Sequence, residues 1–311
     1  MTLQIIILLA GLLLILFGAN YLVDGSSSIA RRFGLSEFVI GLTIVGIGTS
    51  TPEMVVSFLS AIQGKADMAI GNVVGSNIFN TLLILGITAV ICPIKISKTA
   101  VRKDIPLNIL VTVLLILLGM NGMLSRIDGL ILLGIFIWYM WSSFRSTSTE
   151  EDSSEEEIKN YSLGLSITFI IGGLIGLIIG GRLFVNSATE IAKALGMSEK
   201  FIAITIMAAG TSMPELATSA VAAFKKRGQL ALGNVVGSNI SNILLILGGS
   251  ALIHPLSFTG MSVVDLGTLL GCTVLILLSA VMFKKKQLDR IEGMILLMCE
   301  AAYMWYLISN L

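Results

Sequence analysis

Ten blocks of apolar residues dominate the chain, each long enough to cross about 30 Å of hydrocarbon as a helix. They lie near 2–23, 37–62, 67–91, 104–122, 127–145, 161–184, 198–224, 229–252, 262–283 and 290–309. One long stretch breaks the pattern, SSFRSTSTEEDSSEEEIKN from Ser142 to Asn160, whose Ser and Glu residues read as a solvated linker. The pattern predicts an all-α polytopic membrane protein with ten transmembrane helices. Five fall in 1–145, an acidic cytoplasmic linker spans 146–160, and five more fall in 161–311.

Polar residues inside these blocks are few, and they recur. GNVVGSNIFNTLLILG runs from Gly71 to Gly86, and GNVVGSNISNILLILG from Gly233 to Gly248, at an offset of 162. At the same offset Gly18 meets Gly180, Gly34 meets Gly196, Thr43 meets Thr205 and Glu53 meets Glu215. RIDG at 126–129 answers RIEG at 290–293. The repeat therefore covers nearly the whole chain. A unit of five helices used twice must enter the membrane from opposite sides. The halves are then inverted repeats related by a pseudo-twofold axis in the membrane plane, with a binding site where matching helices are broken.

Composition agrees with a lipid-embedded chain: 311 residues, 55% hydrophobic and 13% charged, with mean hydropathy +0.94. A net charge of +1 gives no reason to expect a nucleic-acid partner. Cys92, Cys272 and Cys299 are scattered through apolar sequence and read as small buried hydrophobes; His254 stands alone. No Lys or Arg precedes the first apolar run, which reads as a transmembrane helix rather than a signal peptide. Fifteen of the twenty Lys and Arg fall in the loops after odd-numbered helices. That bias puts those loops in the cytoplasm and both termini outside, in an integral inner (cytoplasmic) membrane.

Helix 2 carries GTSTPE, Gly48 to Glu53, and helix 7 carries GTSMPE, Gly210 to Glu215. Pro52 and Pro214 each lack an N–H, so the carbonyls of Gly48 and Gly210 should lose their helical partners and the helices should kink. Glu53 and Glu215 sit at the matching breaks. A membrane carboxylate costs several kcal/mol, and no Lys or Arg lies inside helices 2, 3, 7 or 8 to compensate it. A bound cation is the natural counter-charge; protonated, hydrogen-bonded glutamates are the alternative. Ser76, Asn80, Ser238 and Asn242 add neutral oxygens, each Ser–Asn pair on one helical face. Asn72, Asn77, Asn234 and Asn239 read as clamps on the backbone, with lining of the site as the alternative. All these donors are hard oxygens, which suits Ca²⁺ or Na⁺. Two ionised glutamates balance one Ca²⁺ or two Na⁺. Glu300 matches no motif; Asp104 and Asp265, near helix starts, read as structural.

GTSTPE…GNVVGSNIFN and GTSMPE…GNVVGSNISN resemble the two alpha repeats of the sodium/calcium exchanger family, in the compact ten-helix form, over residues 46–80 and 208–242. The resemblance implies a secondary antiporter, not an enzyme, that exchanges several Na⁺ for one Ca²⁺ by alternating access without a cofactor. It implies that Glu53 and Glu215 hold Ca²⁺ with the Thr49 and Thr211 carbonyls. Ser50, Ser212, Ser76 and Ser238 then serve Na⁺ positions, with backbone oxygens of Gly46 and Ala208, and Asn80 and Asn242 complete the centre. Some relatives carry Asp at one of these last two positions; Asn at both argues against K⁺ co-transport. Thr51 and Met54 depart from the commoner wording, with little consequence expected. In the resembling fold helices 2, 3, 7 and 8 form a fixed core across which helices 1 and 6 slide, a role that suits Gly11, Gly18, Gly172, Gly173, Gly176, Gly180 and Gly181 as much as plain packing does. The rival readings are an H⁺/Ca²⁺ or K⁺-dependent exchanger and, further off, an intramembrane carboxylate protease or a cation channel. Ca²⁺, Na⁺ and the lipid bilayer are the only partners implied.

Overall fold

The computed structural model describes residues 1–145, 160–197, 208–258, 260–282 and 287–309. Ten helical segments appear among the described residues, where the apolar pattern puts them. They are α1 (Thr2–Phe33), α2 (Glu37–Thr49 continued by Thr51–Ile62), α3 (Ala66–Ile91) and α4 (Ile105–Gly119, after a π turn at Ala100–Asp104). Then come α5 (Arg126–Arg145), α6 (Leu163–Ala194), α7 (Ala208–Thr211 and Met213–Phe224), α8 (Gly228–Ile253), α9 (Val263–Met282) and α10 (Arg290–Ser309). The acidic linker over 146–159, the first half of helix 7 with Lys200 and Thr205, and Lys284–Lys286 lie outside the described residues.

Two boundaries need correction. The apolar runs predicted ends near 23 and 184, but α1 continues to Phe33 and α6 to Ala194. Hydropathy marks where lipid ends; backbone hydrogen bonding carries the helix on through DGSSSIARRF. Gly34 stops α1 with φ 65°, and its N–H turns back to the α1 carbonyls.

The inversion is visible in reciprocal contacts. A Cβ on Gly11 would meet the Gly180 carbonyl oxygen at 2.9 Å, and one on Gly18 the Gly173 carbonyl oxygen at 2.8 Å. Since Gly173 and Gly180 are the repeat counterparts of Gly11 and Gly18, the seam maps onto itself. Numbering rises on α1 as it falls on α6, so the two run antiparallel. Gly172 and Gly181 have nothing near them. The seam glycines therefore join α1 to α6 backbone to backbone; they do not sit between these helices and the core.

The loops repeat this symmetry. Strand β1 (Ile94–Lys95) pairs antiparallel with β4 (Gln287–Leu288), and β2 (Met123–Leu124) with β3 (Leu256–Ser257). The 3–4 loop thus lies beside the 9–10 loop, and the 4–5 loop beside the 8–9 loop. These are the pairs that the Lys/Arg bias assigns to common sides.

Helices α2, α3, α7 and α8 make the interior. In α8 94% of the most apolar window is buried, against 22% in α1, α5 and α10, whose apolar faces are left for lipid. Close approach drives the difference. Gly41 and Gly46 on α2 face Gly233 and Gly237 on α8; a Cβ at Gly233 would lie 2.3 Å from the Phe38 carbonyl oxygen. Asp265 caps α9 through the N–H and hydroxyl of Ser262 and accepts from the Tyr303 hydroxyl at 2.8 Å. Asp104 accepts from the Tyr139 hydroxyl at 2.9 Å, linking α4 to α5.

Candidate functional site

The α2 helix bends by 46° where Pro52 enters the first turn of its second part. The Gly48 carbonyl was expected to be freed by Pro52. Instead the Thr51 hydroxyl donates to it at 2.7 Å. Residue 213, the counterpart of Thr51, is Met and has no hydroxyl to offer. The backbone ladder resumes at Met54 N–H to Ser50 O and at Leu216 N–H to Ser212 O, both 3.0 Å. Glu53 and Glu215 therefore sit on the first turns of new helical segments, at the centre of the molecule, both fully buried.

Each carboxylate is held by the other half. The Ser50 hydroxyl donates to Glu215 Oε1 and the Ser212 hydroxyl to Glu53 Oε1, both at 3.0 Å. Ser212 also reaches Ser76 Oγ at 3.3 Å, and Ser76 reaches Glu53 Oε1 at 3.5 Å. Neither glutamate pairs with a basic group among the described residues.

The asparagines divide into holders and donors of free oxygen. Asn72 Nδ2 bridges the Glu53 carbonyl (3.2 Å) and the Ser57 hydroxyl (3.0 Å); Asn234 Nδ2 bridges the Glu215 carbonyl (3.3 Å) and the Ser219 hydroxyl (2.9 Å). Asn77 Nδ2 donates to the Asn239 carbonyl at 3.0 Å. Asn80 Nδ2 donates to Asn239 Oδ1 (3.2 Å) and Asn242 Nδ2 to Asn77 Oδ1 (2.9 Å). Asn80 and Asn242 are thereby fixed with their own Oδ1 atoms unbonded. Both begin π-helical turns, Asn80–Ile84 and Asn242–Leu247, which the sequence pattern did not show.

Five buried oxygens at this centre accept no hydrogen bond: Glu53 Oε2, Glu215 Oε2, Asn80 Oδ1, Asn242 Oδ1 and the Thr211 hydroxyl oxygen. Unbonded buried oxygens are costly, and five hard ones, two of them from carboxylates, fit a cation. The structure places the other sequence candidates around them. The Thr49 hydroxyl donates to Asn234 Oδ1 (3.1 Å), the Ser238 hydroxyl donates to the Gly46 carbonyl (3.1 Å), and Ala208 opens the described part of α7.

The two halves are not equivalent. A Cβ on Gly237 would lie 2.2 Å from the Leu42 carbonyl oxygen, whereas one on Gly75, its counterpart, meets nothing within 4 Å among the described residues. Gly75 is exposed and Asn72 half-buried, while Gly237 and Asn234 are buried. Described residues thus pack tightly on α8 at Gly237 and leave α3 uncovered at Gly75.

The family model described as sodium/calcium exchanger protein matches residues 3–145 and 165–309. The chain is 33% identical over 343 residues to the sodium/calcium exchanger MaX1 of Methanosarcina acetivorans, covering 97% of this chain and 98% of that one. It is 36% identical over 264 residues to the inner membrane protein YrbG of Escherichia coli, covering 82% and 81%. The solved structure of the sodium-calcium exchanger NCX_Mj soaked with zero Na⁺ and Ca²⁺ superimposes with a TM-score of 0.87 at 35% identity, covering 98% of this chain and 99% of that chain. Matches of this extent, over both repeats, place the chain in the sodium/calcium exchanger protein family.

Proposed function

We propose that the protein is a secondary antiporter that exchanges Na⁺ for Ca²⁺ by alternating access and extrudes cytoplasmic Ca²⁺. The observation that carries this reading is the set of five unbonded buried oxygens, including one each of Glu53 and Glu215, with no basic partner among the described residues. Ca²⁺ takes both carboxylates with the Thr49 and Thr211 carbonyls. Ser50, Ser212, Ser76 and Ser238, with the Gly46 and Ala208 backbone and the Asn80 and Asn242 amides, serve the flanking Na⁺ positions. One Ca²⁺ neutralises the two carboxylates, while three Na⁺ leave an extra positive charge. Exchange then moves net charge, worth about 2.3 kcal/mol per charge across 100 mV. Two relatives, a sodium/calcium exchanger and an inner membrane protein, support the ions and the inner-membrane location; the Lys/Arg bias supports cytoplasmic loops after odd helices.

The test is Ca²⁺ uptake into Na⁺-loaded proteoliposomes, with external K⁺ and pH varied, beside Glu53→Gln and Glu215→Gln. Uptake that needs internal Na⁺, ignores K⁺ and disappears in both variants supports the reading. Uptake driven by a pH step alone moves the protein to proton coupling. Absence of Ca²⁺ flux from folded protein sinks the calcium assignment.

A further inference from the structure

Repeat symmetry is broken most plainly by one ion pair. Lys225, at the C-terminal end of α7, lies 2.6 Å from Asp24 Oδ1 on α1, and its ammonium also donates to the Asn20 carbonyl at 3.4 Å. The repeat counterparts of Asp24 and Lys225 are Asn186 and Gln63, both uncharged and both exposed. A charged tie between the α1/α6 unit and the core therefore exists at one end of the pseudo-twofold axis and has no ionic equivalent at the other among the described residues. A separate, buried pair at this end, Arg227 with Glu37, joins α2 to the start of α8.

The tie itself is half-buried. Thr218 lies on α7 between Lys225 and Glu215, fully buried, with a hydroxyl oxygen that makes no hydrogen bond. A hydroxyl left dry in one arrangement is satisfied in another that admits water. Gly75 on α3, by contrast, is exposed.

We propose that Asp24 and Lys225 are positioning residues that hold the cation site shut on the face carrying Lys225, so that their contact sets which side the resting site opens to. The tie is made only when α1 lies against the end of α7, and movement of the α1/α6 unit separates the two charges. Differential stabilisation of one state shifts the population by that amount. The inference rests on the alternating-access reading of the site.

The test uses the full chain bearing Thr218→Cys in proteoliposomes, with labelling by a membrane-impermeant maleimide measured above that of the parent cysteines. Asp24→Asn and Lys225→Gln should each raise labelling roughly three- to tenfold, the range a half-buried pair can bias. The double reversal Asp24→Lys with Lys225→Asp should return it to the slow rate. Asp24→Glu, which keeps the pair, serves if the reversal fails to fold. Equal labelling in every folded variant overturns the proposal. So does a reversal, or an Asp24→Glu variant, that labels as fast as the neutral variants, because charge pairing is then not the cause. Labelling needs no ion gradient, so it is read separately from Ca²⁺ flux: loss of exchange would defeat the proposed function, and unchanged labelling would defeat the tie.

Discussion

Gly75 and Gly237 occupy the same place in identical GNVVGSN stretches, yet alanine should act on them in opposite ways. At Gly237 the added carbon would lie 2.2 Å from the Leu42 carbonyl oxygen and 2.6 Å from the Leu42 carbonyl carbon, where ordinary contact begins at 3.4 Å. Helix α8 must recede from α2 by about 1 Å. Overpacking of this kind costs roughly 1–3 kcal/mol, and loss of the Ser238–Gly46 hydrogen bond adds about 1 more. Gly237→Ala should therefore lower the melting midpoint in detergent by several degrees and abolish Na⁺-dependent Ca²⁺ uptake. At Gly75 the new carbon meets nothing within 4 Å among the described residues, and helix propensity favours alanine by about 0.5–1 kcal/mol. Gly75→Ala should melt at or above the parent temperature. If the halves trade environments during transport, Gly75 is crowded in the opposite-facing state, and the alanine destabilises that state alone. The expected result is a stable protein whose exchange is slowed tenfold or more, by roughly the same energetic argument. Normal exchange by Gly75→Ala, or an unchanged melting point for Gly237→Ala, would refute the reasoning.

Two other outcomes follow from the hydrogen bonds of the centre. Ser50→Ala and Ser212→Ala each remove a 3.0 Å bond to a buried carboxylate; each should raise the Ca²⁺ concentration for half-maximal uptake by about tenfold, read in the same vesicles. Asn234→Ala should destabilise more than Asn72→Ala in paired melting curves, because Asn234 is fully buried and also accepts from Thr49, while Asn72 is half-buried.

The ten helices, their inverted order and the breaks beside Pro52 and Pro214 were legible because lipid enforces long apolar blocks and proline removes a fixed hydrogen bond. The candidates Glu53, Glu215, Asn80 and Asn242 could be picked out because polar residues in such blocks need a reason. Three things were hidden. The π turns at Asn80 and Asn242 leave no trace in the spacing of apolar residues. The Thr51 hydroxyl is a local substitute for the N–H that Pro52 lacks, visible only once its distance to Gly48 is known. The inequality of Gly75 and Gly237 could not be read from repeats identical around them, since it belongs to the arrangement of helices rather than to their sequence.

The exchanged strand pairs carry a consequence for synthesis. Strand β1 at Ile94–Lys95 has its partner at Gln287–Leu288, about 190 residues further along the chain. At ribosomal speeds of roughly 5–20 residues per second, β1 waits about ten to forty seconds before β4 emerges. During that interval the first five helices lie in the bilayer with an open strand edge at one surface and Glu53 without the Ser212 that holds it. The first half must therefore be tolerated by the membrane as an unfinished object until the 9–10 loop arrives to close the strand edge of the 3–4 loop.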